Sequence, residues 1–124
     1  MKINRCRNGR VIYNTVLTDR WSGADAPSRL RVEDCTDLEV GLNVADGVRG
    51  GVVARNNVRV LMTGDNVDVA PKDYNKEFPH LDPRHPPAGL ADFAPGRSGK
   101  TAVMGAGALD TKGNFRPLPA FRPL

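Results

Sequence analysis

The chain has 124 residues, the size of one domain, of which 40% are hydrophobic and 26% charged. Those proportions exclude a membrane-spanning chain and a wholly disordered one, and 13 Gly with 10 Pro disfavour a helical bundle. The charge is +4 at neutral pH, and 13 of the 18 cations are Arg, whose forked donors suit fixed contacts with carboxylates and phosphates.

From Met1 to Arg10 the chain is polar, and Lys2, Arg5, Arg7 and Arg10 form its densest basic cluster, with Tyr13 as the nearby aromatic. Nucleic-acid platforms interleave basic and aromatic residues, so nucleic acid is not an expected partner. No apolar leader core of roughly 7–15 residues follows, and no run approaches the roughly 20 residues of a membrane helix. Synthesis in a reducing cytosol and no membrane contact are expected. Cys6 and Cys35, with no Cys-x-x-Cys pair, are then expected as buried thiols.

Residues 1–70 alternate in the manner of strands. Val11 and Tyr13, Leu30 and Val32, Leu38 to Val44, Val58 to Met62, and Val67 with Val69 keep a period of two between glycine and Asx breaks. Five or six short strands are predicted. Trp21, just before Ser22-Gly23, falls in a loop between them as a core anchor or an interface residue. A short unit recurs as Asp37-Leu38-Glu39-Val40, Asn57-Val58-Arg59-Val60 and Asn66-Val67-Asp68-Val69, and Ile3-Asn4-Arg5-Cys6 is a looser copy of Val32-Glu33-Asp34-Cys35. The Asx residue suits a corner and the aliphatic pair then shares one strand face.

This corner-and-strand pattern, from Leu30 to Val69, resembles the right-handed parallel β-helices of tailspikes and pectate-lyase-like proteins. A jelly roll or small sandwich would produce similar strings. The fold class predicted is therefore all-β: a small domain over residues 1–70, short β-helix or sandwich, followed by an extended arm over 71–124. Few rungs bury little core alone, so the β-helix form implies an oligomer.

The arm holds nine of the ten prolines, and Pro79, Pro83, Pro86 and Pro87 enforce extension. Phe78, Leu81, Leu90, Phe93, Phe115 and Phe121 are spaced apolar anchors, and Phe-Arg-Pro-Leu occurs twice near the end. A segment of this kind is expected to become ordered on a partner. The partner-binding residues predicted are Trp21, Phe78, Phe93, Phe115, Arg116, Phe121 and Arg122.

Three constellations raise chemistry. Ala94 to Thr101 fits a relaxed phosphate-loop pattern, but prolines before it and Gly105 and Gly107 after it break the strand-loop-helix context that pattern requires. His80, Asp82 and His85 include metal-ligand types, with Pro83 between them preventing a regular helix and no third histidine. Asp34, Asp37, Glu39 and Asp46 could suggest paired carboxylates for glycoside cleavage, though alternation makes most of them a strand's solvent face. No catalytic, cofactor or metal site is predicted, and no enzymatic activity.

A β domain with a long arm resembles the small virion proteins of tailed phages, the capsid decoration and cement proteins and β-helical tail components. That resemblance implies a structural role on a repetitive lattice, with capsid or tail subunits as partners, self-association often as trimers, and residence in the virion after assembly in the host cytoplasm. The alternatives are a tailspike-like protein that binds or cleaves carbohydrate and a nucleic-acid adaptor using the Arg-rich N-terminus.

Overall fold

Nine short strands occupy the chain from Lys2 to Val69 in the computed structural model, which describes residues 1–23, 30–46, 52–82 and 84–120. They are β1 (Lys2–Asn4), β2 (Arg7–Ile12), β3 (Thr15–Val16), β4 (Leu30–Glu33), β5 (Thr36–Gly41), β6 (Val44–Asp46), β7 (Val52–Arg55), β8 (Val58–Met62) and β9 (Val67–Val69). Each of the first six pairs in parallel with the strand three further on, giving the sheets β1-β4-β7, β2-β5-β8 and β3-β6-β9. Three rungs of three strands therefore stack as a β-solenoid. A jelly roll or sandwich needs antiparallel pairs, and the nine strands pair only in parallel.

Register between the first two rungs is constant along the whole turn: Lys2 lies opposite Arg31, Arg7 opposite Thr36 and Thr15 opposite Val44. The sequence match of Ile3 with Val32 is therefore the true pairing. The other predicted repeat is two residues out: Asp37 stacks on Arg59, not Asn57, because Leu38 lies opposite Val60. The third rung gains one residue at the corner before β9, where Val44 meets Val67. Asp65 absorbs it by accepting the Leu42 N–H at 2.9 Å and the Thr63 hydroxyl. Gly41 makes this closure possible: a methyl there would overlap the Thr63 hydroxyl and lie 2.9 Å from Asp65 Oδ1.

Corners are set by backbone shape. Among the described residues eight non-glycine ones have φ between 52° and 56°, and they stack in columns: Arg5, Asp34 and Asn56; Asn8, Asp37 and Arg59; Tyr13 and Leu42. Asn and Asp accept this left-handed region readily, whereas Arg, Tyr and Leu are held there at roughly 1–2 kcal/mol each by the stack. Two side-chain ladders tie the corners together. Asn43 Oδ1 accepts the Asn14 N–H at 3.0 Å, and Asn66 Oδ1 accepts the Asn43 N–H at 3.2 Å. At the other corner Cys35 Sγ accepts from Cys6 N–H at 3.4 Å and Asn57 Oδ1 from Cys35 N–H at 2.9 Å. Both thiols are free; Cys35 is buried as expected, but Cys6 is exposed, because it belongs to the end rung.

The solenoid interior is Leu30, Val32, Cys35, Leu38, Val40 and Ala45, with Ile3, Val11, Val16, Val60 and Met62 packed at its two ends. A second core lies outside the third sheet. Val44, Val67 and Val69 meet Tyr74, Phe78, Leu81 and Ala106, so β6 is covered on both faces. The segment after Pro71 supplies that cover through short helices α1 (Tyr74–Glu77) and α2 (Lys100–Met104) and two 3-10 turns, Pro71–Asp73 and Leu90–Phe93.

These residues correct the expectation of an arm ordered only on a partner. Among the described residues 71–120 the chain folds back on its own third sheet, whose outward valines need an apolar cover as much as its inward ones do. Gly107 N–H donates to Leu42 O at 2.9 Å and Ala108 N–H to Thr15 Oγ1 at 3.0 Å. Gly107 has φ 88°, and a methyl there would sit 3.0 Å from Thr15 Oγ1 and 3.2 Å from Val44 Cγ2, so only glycine permits the approach. Further out, Arg10 donates to the carbonyls of Pro119 and Ala120.

Candidate docking site

The predicted anchors separate into three groups. Phe78 is 1% exposed at the centre of the second core, edge-on to Tyr74 with ring centroids 6.5 Å apart. It is therefore unavailable to a partner, and its prediction as an interface residue is corrected by burial under its own chain. Trp21 lies in the 3-10 turn Arg20–Ser22, and its side chain, like Phe121 and Arg122 entirely, falls outside the described residues. Arg116 is half-buried beside Gly105, with its N–H donating to Ala108 O at 3.1 Å.

Phe93 and Phe115 do come together. Asp110 accepts the N–H groups of Lys112 and Asn114 at 2.9 and 3.0 Å, closing a turn that pairs Leu109 antiparallel with Phe115. The result is a cleft of about 180 Å³ lined by Thr15, Leu90, Phe93, Ala108, Leu109 and Phe115. Leu90 is 61% exposed and Phe115 67%. Leu90 carried only an anchor's role in the sequence; its place beside Phe115 depends on the Asp110 turn, which no periodicity announces.

In each of the three chemical constellations, residues already have partners within the chain. The glycine-rich stretch before α2 is already occupied: Glu77, 5% exposed, accepts Lys100 N–H at 2.7 Å and Thr101 N–H at 2.9 Å. The carboxylate of this chain thus sits where a phosphate loop would bind its ligand. His85 Nε2 lies 3.8 Å from Asp82, which Arg84 holds at 3.1 Å, and no cluster of three metal-ligand side chains exists among the described residues. Of the four acids considered for glycoside cleavage, Asp46 is fully buried, accepting from Thr18 N–H at 2.8 Å, Thr18 Oγ1 at 3.0 Å and the Tyr74 hydroxyl. Arg20 stands 3.6 Å from it and over the Tyr74 ring. This network clips the excursion after β3 to the C-terminal cover.

Charge on the solenoid differs by rung. The first rung carries Lys2, Arg5, Arg7 and Arg10 and no acid; the second carries Glu33, Asp34, Asp37, Glu39 and Asp46 against Arg31 alone; the third carries Arg55 and Arg59 with Asp65 and Asp68. Contacts cross the rungs accordingly, Lys2 to Glu33 at 3.2 Å and Arg59 Nη2 to Asp37 Oδ2 at 3.0 Å. The Arg59 hydrogen bond holds the Asp37 carboxyl below the usual carboxylate range, with the Arg59 and Arg7 charges adding to it. A depressed group stabilises the fold above its unfolded pKa of about 3.9 and loses that contribution as pH falls through the folded value. Carboxyl titration by NMR should therefore show the Asp37 midpoint rising toward the ordinary value in Arg59→Gln. An unmoved midpoint would mean that the ion pair does not form in solution.

Fold and surfaces together define a short parallel β-solenoid with a covering C-terminal segment and an apolar cleft. No protein-family model, curated protein or solved structure matches this chain. No helix among the described residues is long and apolar enough to cross a membrane.

Proposed function

We propose that this protein is a structural assembly module, of the kind that decorates or cements a virion lattice of capsid or tail subunits, and that it has no catalytic role. One observation carries this reading: Leu90, Phe93 and Phe115 line an open apolar cleft, with Leu90 and Phe115 mostly exposed, in a segment whose Tyr74, Phe78 and Leu81 are buried. Exposed aromatic and aliphatic side chains grouped around a cleft suit a protein partner better than a polar ligand. The rung architecture supports the same reading, since unpaired parallel edges extend by adding further strands.

Self-association through the cleft tests it. Sedimentation of the purified chain at about 100 μM, a concentration at which a contact worth roughly 6–8 kcal/mol is populated, should show oligomers. Leu90→Ser/Phe115→Ser should return it to a monomer with unchanged circular dichroism, because both side chains are mostly exposed. A wild-type chain that stays monomeric and releases new reducing ends from a polysaccharide panel would replace this reading with the carbohydrate-cleaving one.

A further inference from the structure

β1, β2 and β3 lie together at one edge of their three sheets. Their inward residues Ile3, Val11 and Val16 are only partly buried, whereas the residues stacked on them, Val32, Val40 and Ala45, are 0% exposed. Around this apolar centre stand Lys2, Arg5 and Arg7, all exposed, with Arg10 beside them. The corner ladders have a direction: in each, a side-chain atom accepts the backbone N–H of the rung before it. Cys6 and Asn14 hold those acceptor positions in the first rung, with the same separation as Cys35 and Asn43 in the second.

Resting on the assembly reading above, we propose that this end docks an acidic strand-corner-strand rung of a different polypeptide, which extends all three sheets. The chain itself shows what a basic rung stacks on, since the face of the first rung already in contact meets Glu33, Asp37 and Glu39. A second copy does not fit. First rung against first rung would oppose two sets of four cations, and a third rung stacked on a first would set Arg55 and Arg59 among Arg5, Arg7 and Arg10, with its acids Asp65 and Asp68 at the third sheet, where β3 carries no charge. Charge complementarity of this kind selects the partner and steers its approach.

The second rung supplies a probe, because the edge it presents to the third rung is the edge an incoming rung would present to the first. A synthetic peptide of residues 30–46, kept reduced, is titrated to about 1 mM into the isotope-labelled full chain and followed by amide NMR. Saturable shifts confined to residues 2–16 are expected. Affinity should fall about tenfold between roughly 0.05 and 0.5 M salt, as exposed charges are screened. The peptide carrying Glu33→Gln, Asp34→Asn, Asp37→Asn and Glu39→Gln should bind about tenfold more weakly, as should the wild-type peptide to Arg5→Glu/Arg7→Glu chain with unchanged circular dichroism. The Leu90→Ser/Phe115→Ser chain should respond like wild type, which separates this end from the apolar cleft. No shift at the first rung, equal binding of the neutral peptide, or dimers of the chain formed through this edge would each overturn the proposal.

Discussion

Asn43→Ala should lower the free energy of unfolding by about 2–4 kcal/mol, a large share of the roughly 5–15 kcal/mol typical of a domain. Asn43 is 0% exposed, and its side chain connects all three rungs. Its Oδ1 accepts from the backbone and side chain of Asn14, each at 3.0 Å, and its Nδ2 donates to Val11 O at 2.9 Å and to Asn66 Oδ1 at 3.0 Å. Alanine removes these partners together and leaves polar groups on both neighbouring rungs inside a corner that water reaches poorly, at about 1–3 kcal/mol per unpaired group. Asn43→Asp should do no better, because it keeps the acceptor but turns a donor toward Val11 O and Asn66 Oδ1 into a second acceptor. Urea unfolding followed by circular dichroism measures this as a lower midpoint at an unchanged slope. A loss under 1 kcal/mol would show that the ladder follows the stack rather than holding it.

Phe78→Ala should cost about 3–5 kcal/mol, the range for removing a buried aromatic from a packed core. The ring is the largest of the described side chains that are fully buried, and it packs with Tyr74 of α1 against the outward valines of the third sheet. This substitution separates two kinds of C-terminal segment. An arm held only by neighbours would lose docking and keep its unfolding midpoint, whereas a cover that completes its own domain loses the midpoint. Thermal unfolding of the isolated variant is the measurement, and for a domain of this size the midpoint should drop by well over about 10 °C. Wild-type-like melting would return Phe78 to the surface.

How far the sequence reveals this fold depends on which residues carry each level. Period-two runs of β-branched residues identify strands, and Ile3-Asn4-Arg5-Cys6 against Val32-Glu33-Asp34-Cys35 discloses the first rung pairing correctly. The next pairing is obscured because Asp37 and Arg59 take left-handed backbone inside what reads as a continuous strand. The extra residue near Asp65 then shifts the count again before β9. A usable signal was present in Asn14-Thr15, Asn43-Val44 and Asn66-Val67, each an Asn immediately before the strand of the third sheet.

The C-terminal segment is less legible for a different reason. Its apolar residues follow no period, since they meet a flat sheet through short helices and turns rather than along one face of a long element. The cue lay elsewhere, in the consecutive apolar pair Val44-Ala45, which belong to different cores. A parallel strand apolar on both sides requires cover on both sides. The apolar cleft is half legible: Phe93 and Phe115 stand out in the sequence as anchors, but their meeting depends on the Asp110 turn.

One dimension of the stack varies freely. Between β3 and β4 the chain spends thirteen residues, and between β6 and β7 only five, yet every ladder on either side keeps its register. Length at this corner is thus decoupled from strand register, as loop closure penalties grow slowly with size, even though Thr18 and Arg20 clip the start of the longer excursion to Asp46. Foreign epitopes grafted between Gly23 and Leu30 and between Asp46 and Val52 would rejoin the stack at Leu30 and Val52, paired neighbours in adjacent layers roughly 4.8 Å apart. Two weak ligands displayed there would act as one bivalent one, on a scaffold whose other corners need no redesign.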